Sequence, residues 1–152
     1  MLSLKTGDRS VIVYLDTSSL VKLYVEEDYS EQVAGIVHSS KVVATSLVSY
    51  AETRAAFARR YREKAFVPPE YKRLLSGFER DWHNFVTVQV FLALIQKAGD
   101  LAEKHALRGF DAIQLSSALI LKIKLKSEIV FSCFDDKLQK ASKQEGLDQP
   151  DF

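Results

Sequence analysis

The sequence predicts an α/β fold with a central, mostly parallel sheet, and three observations carry that expectation. Short runs rich in β-branched residues (Val11–Leu15, Lys41–Thr45, Val86–Val90, Glu128–Cys133) alternate with longer segments of helical pattern. The first run, Val11-Ile12-Val13-Tyr14-Leu15, is apolar without alternation, as a strand covered on both faces requires. Asp16, Thr17, Ser18 and Ser19 follow it directly. A strand, an acid and helix-capping hydroxyls make the first βα unit of an open sheet, whose sites lie beyond the carboxyl ends of its strands.

The elements follow in order. Residues 1–10 are polar and irregular and read as an N-terminal extension, and residues 11–152 as a single domain. After Asp16 a helix is expected to about Glu26, and a second from Ser30 to about His38. The second strand leads into a long helix from about Leu47 to Ala65, stopped by Pro68-Pro69. Pro69 suits the first turn of the next helix, which runs to about Asn84. After the third strand a helix is expected from Phe91 to Ala106, and Gly109 is expected to break the chain before a helix from Asp111 to Lys124. The fourth strand leads to a helix from Asp135 to Gln144, with Gly146 as its terminator.

Composition removes several classes. A single Cys excludes a disulfide framework and a cysteine-rich zinc site, and fits a reducing cytoplasm. No apolar run is long enough to cross a membrane, and no signal-peptide core is visible. The net charge of +1 does not mark a nucleic-acid binder, but the charges are segregated. Seven Arg and Lys residues lie between Arg54 and Arg73 against Glu63 and Glu70 alone; such a run is a solvated helix face or a phosphate-tracking surface. There is no Gly-rich phosphate loop, Gly-x-Ser-x-Gly elbow or His-Glu-x-x-His pair. A phosphoacceptor receiver domain would need an Asp where Gln89 and Val90 stand, and a haloacid-dehalogenase-type phosphatase would need one at Ser18. His38, His83 and His105 are scattered.

Four acids stand where the chain turns. Asp16 and Asp135 follow the first and fourth strands, Glu52 lies near the start of the helix after the second, and Asp111 opens a helix that is apolar or small on nearly every face. In a parallel sheet the first, second and fourth strands end on one edge, so Asp16, Glu52 and Asp135 can meet there, and Asp111 joins them if its helix starts over that edge. Each also has a purely structural use. Ser49-Tyr50-Ala51-Glu52 fits a capping box, and Asp16, Asp111 and Asp135 suit N-cap or first-turn positions. Carboxylates that converge repel one another unless a cation neutralises them, and hard oxygen donors select Mg²⁺ or Mn²⁺ over zinc. Such an ion activates water for attack on a phosphodiester, with no nucleophilic side chain required.

Four segments then resemble one family. Tyr14-Leu15-Asp16-Thr17-Ser18-Ser19-Leu20-Val21-Lys22-Leu23-Tyr24, Tyr50-Ala51-Glu52-Thr53-Arg54-Ala55-Ala56, Leu107-Arg108-Gly109-Phe110-Asp111-Ala112-Ile113-Gln114-Leu115 and Phe134-Asp135-Asp136-Lys137-Leu138 are similar, in this order, to PIN-domain proteins, particularly VapC-type toxins of toxin–antitoxin pairs. The resemblance implies a three-layer α/β/α fold and an Mg²⁺- or Mn²⁺-dependent endoribonuclease acting on a structured RNA such as tRNA. It implies Asp16 and Asp111 as principal metal ligands, with Glu52 and Asp135 ligating directly or through water. It further implies a homodimer and a small antitoxin protein whose tail blocks the acidic groove. Two positions depart from the family pattern: Cys133 stands where Ser or Thr is usual, and Asp136 is an acid beside Asp135, so an alternative ligand. Ser18 is a candidate helper near the metal, and Arg59, seven residues after Glu52, shares its helical stripe and is a candidate for the RNA backbone. The alternative from another class is a PIN-fold RNA- or protein-binding module with little or no nuclease activity.

Overall fold

Alternate side chains of a strand point to opposite faces of its sheet, so an unbroken apolar run needs cover on both sides. In the computed structural model, which describes residues 11–152, β1 (Ile12–Leu15) is buried throughout. Its Ile12 and Tyr14 join one core with Phe131 and Leu115, while Val13 and Leu15 join a second core with Leu20, Phe57 and Phe78. The expected extension over residues 1–10 lies outside the described residues.

Strands β1, β2 (Val42–Ser46), β3 (Val86–Val88) and β4 (Ile129–Ser132) form a four-stranded sheet in the order β3-β2-β1-β4. All pairings are parallel, with Tyr14 in register with Ala44 and Phe131. The Tyr14 and Phe131 rings stack across that register, 5.4 Å between centroids. Helices α1 (Thr17–Val21), α2 (Ser30–Ser39), α3 (Ser49–Arg62) and α4 (Pro68–Trp82) contribute to the core on one face of the sheet. Helices α5 (Leu92–His105), α6 (Gly109–Leu125) and α7 (Asp136–Gln144) fill the other. The parallel sheet is the one expected from the strand and helix pattern, and the α/β/α layering is the one the family resemblance implies.

Three local expectations are corrected. The helix after Asp16 ends at Val21 rather than near Glu26, and the chain continues in turns closed by Leu23 N–H to Leu20 and Tyr24 N–H to Val21. A helix continued to Glu26 would carry Glu26, Glu27 and Asp28 at its C-terminus, where negative charge opposes the dipole, and Glu27 instead pairs with Lys22 and Arg60. Gly109 does not break the chain; it is the first residue of α6, after extended Arg108. The capping box at Ser49 is absent, since Val48 is the N-cap residue and the Ser49 hydroxyl is drawn into a buried network.

Candidate active site: an acidic cleft at the carboxyl edge of the sheet

The carboxyl ends of β1, β2 and β4 meet over a layer of buried hydroxyls. Thr45 donates to the Leu15 carbonyl at 2.7 Å and pairs with Ser49 at 2.7 Å, and Ser19 pairs with Ser132 at 2.8 Å. These short polar side chains fill the sheet edge without covering it, and above them opens a cleft of about 380 Å³. Asp16, Glu52, Asp111 and Asp135 all line it, together with Arg59, Arg60 and Arg108.

Asp16 sits at the floor, 5% exposed. Its carboxylate caps α1 by accepting the Ser19 N–H at 2.9 Å and the Ser18 hydroxyl at 2.7 Å. Burial pushes this carboxyl up to about 6; the two donors oppose that rise, while Asp111 and Glu52 add to it. The last effect has the sign expected for carboxylates that share a cleft. Glu52 accepts the Thr17 hydroxyl at 2.7 Å, and so reaches over to α1 instead of back to its own helix start. Asp111, in the first turn of α6, pairs with Arg108 at 3.2 Å. Arg108 is 84% exposed, so this pair is screened and easily exchanged. Asp135 caps α7 through the Lys137 N–H.

The acids share a cleft but are not gathered to ligand spacing. Among the described residues no three His, Cys, Asp or Glu side chains stand close enough together to hold a metal ion. Each carboxylate is instead held by its own partners, and capping and catalysis are not exclusive uses of one side chain. Asp136 is exposed and faces a different cleft, with Cys133 and Lys140. The Cys133 thiol is buried, and that burial, reinforced by Asp16, drives its pKa well above the usual thiol range. It is neither a thiolate nucleophile nor a donor for a hard cation.

Gln114 went unnamed as a site residue in the sequence, and it orders the cleft. It is 2% exposed, and its amide oxygen accepts the Tyr14 hydroxyl at 2.6 Å. That bond turns the amide nitrogen toward the site, 3.0 Å from Ser49, 3.3 Å from Thr17 and 3.4 Å from Glu52. The signal was available: a lone amide on an apolar helix, three residues after Asp111 and so on the same stripe. Glu27 was also missed. It lines the cleft and holds Lys22 at 3.0 Å and Arg60 at 2.7 Å.

A parallel α/β/α sandwich with acids from four segments lining a cleft at its carboxyl edge defines a class of acidic-site proteins. Comparison with known proteins makes the class specific. The model of the PIN domain matches residues 13–144, and the chain belongs to the PIN-domain family. It is 37% identical over 112 residues to each of two Mycobacterium tuberculosis proteins, Ribonuclease VapC45 and Ribonuclease VapC49, a match covering 71% of this chain and 75% of each relative. Among solved structures, M. tuberculosis VapC20, described as a sarcin–ricin loop cleaving toxin, superposes with a TM-score of 0.59 at 18% identity, over 85% of this chain and 94% of that one. FitAcB from Neisseria gonorrhoeae superposes with a TM-score of 0.63 at 14% identity, over 91% and 96%. These two likenesses concern the fold.

Proposed function

We propose that this protein is a metal-dependent endoribonuclease that hydrolyses RNA phosphodiester bonds, the toxin of a toxin–antitoxin pair acting in the cytoplasm on a structured RNA such as tRNA. The observation that carries the reading is the cleft itself: four carboxylates from separate segments, rimmed by Arg59, Arg60 and Arg108, in a chain resembling VapC ribonucleases over most of its length. Among the described residues no helix is long and apolar enough to cross a membrane.

The donor set suits Mg²⁺ or Mn²⁺, being carboxylates alone, with Asp16 and Asp111 as principal ligands and Glu52 and Asp135 as auxiliary ones. Bound there, the ion would supply an activated water and charge stabilisation at the phosphate. The chain's own residues do the rest. Ser18 and Ser19 fix the Asp16 carboxylate, while Thr17 and Gln114 restrain Glu52. The rim arginines bind phosphate oxygens, and a small antitoxin protein presents a basic side chain to the same acids when it blocks the cleft. A homodimer is part of the proposal, and residues 11–152 act as its single domain.

The dispersed acids favour one alternative, an RNA- or protein-binding module with little nuclease activity. Purified protein incubated with a mixed tRNA pool in Mg²⁺ or Mn²⁺, with chelator and Asp111→Asn as controls, separates the two. Discrete cuts that vanish in both controls are expected. Absence of cutting with either metal, in protein free of antitoxin, would favour the binding module over the nuclease; cutting that survives Asp111→Asn would remove the quartet from the chemistry.

A further inference from the structure

Beside the acidic cleft three aromatic rings gather in a way the hydrolytic reading does not use. Tyr29 lies 5.4 Å from Phe134 and 6.0 Å from Phe152, and Phe134 and Phe152 lie 6.0 Å apart, with interplanar angles of 33°, 27° and 17°. Rings gathered to bury apolar surface would be covered, yet Tyr29 is 47% and Phe152 42% exposed. Phe134 lines the acidic cleft and carries the Lys22 ammonium 4.5 Å from its centroid. Phe152 lines a second cleft of about 390 Å³ that holds Lys140 and Lys143, two cations against the one acid Asp136. The rings are thus a step between a site for a reacting phosphate and a place with cations for neighbouring phosphates.

The backbone holds that step in place. Tyr29 has φ of +70°, in the left-handed region that a bulky side chain rarely occupies. The buried Ser30 hydroxyl secures the turn by accepting the Glu27 N–H at 3.0 Å and donating to the Val25 carbonyl at 3.1 Å. Strain of this kind persists where surrounding contacts over-determine it, and it gathers at functional sites.

We propose that Tyr29, Phe134 and Phe152 form a stacking platform for an unpaired nucleobase of the RNA bound in the acidic cleft, with Lys140 and Lys143 holding the phosphates beyond it. The inference rests on the ribonuclease reading for its substrate class. Stacking on aromatic side chains is how proteins engage splayed single-stranded bases, whatever their sequence. The platform selects RNA whose target strand is unpaired next to the cleaved bond.

The test is anisotropy of a labelled short single-stranded RNA titrated with protein carrying Asp111→Asn, so that binding is read without cleavage. Tyr29→Leu and Phe152→Leu, added singly, are each expected to weaken binding about tenfold, whereas Tyr29→Phe, which keeps the ring, binds as its parent does. In a series of RNAs lacking one base at each position, one or two positions should weaken parental binding about as much, and cost nothing further once Phe152 is Leu. Equal affinity in the Leu variants, or losses that simply add at every position, would overturn the platform. Ring variants that keep RNA affinity but lose a bound protein partner would overturn it in favour of protein docking. Cleavage by the protein with Asp111 intact is scored separately. Cutting with ring-independent binding leaves the nuclease and removes the platform, and ring-dependent binding without cutting does the reverse.

Discussion

Asp16 is buried where a carboxylate is costly, and only short-range donors keep it there. An ordinary Asp near 3.8 is raised to about 6, chiefly by burial, so the folded state holds a proton that the unfolded chain releases earlier. The sign follows from linkage: between about pH 4 and 6 the native protein binds more protons than the unfolded one, and its stability falls as pH rises through that window. Above pH 6 the full penalty is present, about 1–3 kcal/mol for a rise of this size. Asp16→Asn removes the ionisation while its amide oxygen still accepts the Ser19 N–H. In urea titrations with chelator present, the variant is expected to match the parent near pH 4 and exceed it by about 1–3 kcal/mol near pH 8, while losing RNA cleavage. A stability difference that does not change between those pH values would mean that Asp16 is not the strained group.

Helix α3 shows which parts of the site a sequence can and cannot disclose. Its start after β2 is written in local pattern, and so are Glu52 and the basic run that follows. Local pattern also offered Glu52 a capping partner at Ser49, and that was wrong because Ser49 is claimed by Thr45 and Gln114 from elsewhere in the chain. Asp16, Asp111 and Asp135 were legible because each follows or opens an element, whereas Gln114 gains its role from Tyr14, 100 residues away. The boundaries of α1 and α6 were misread where an acidic run and an N-terminal glycine competed with simple propensity. Arg59 was placed by periodicity alone, one helical stripe from Glu52, and it does line the cleft. Its pairing with Glu63 at 3.7 Å is between exposed groups and contributes little to stability. Arg59→Ala is therefore expected to leave Mn²⁺ binding and folding unchanged, to weaken RNA binding, and to flatten the slope of log affinity against log salt by about one. RNA affinity measured across a KCl series checks this; an unchanged slope and affinity would remove Arg59 from the RNA path.

At the scale of the molecule one edge of the sheet carries no further strand among the described residues. Strand β3 is terminal in the order β3-β2-β1-β4, and exposed Val86, Val90, Phe91, Leu92 and Ile95 lie along it and the first turn of α5. An edge strand beside exposed apolar side chains is a surface that proteins blunt or cover, and in a homo-oligomer a second copy can supply the cover. The proposed homodimer is placed there. Two-fold symmetry would bring Leu92, 72% exposed, into the joint twice, so one substitution puts two charges into it. Leu92→Lys is expected to shift the protein from dimer to monomer at micromolar concentration in sedimentation equilibrium. The monomer's own fold should change by no more than about 0.5 kcal/mol, as for other surface substitutions. A parent that sediments as a monomer would end the homodimer proposal, and a dimer indifferent to Leu92→Lys would move the interface off this edge. Because the acids lie at the carboxyl edge of the sheet and come from this chain alone, the monomeric variant should still bind RNA through its cleft.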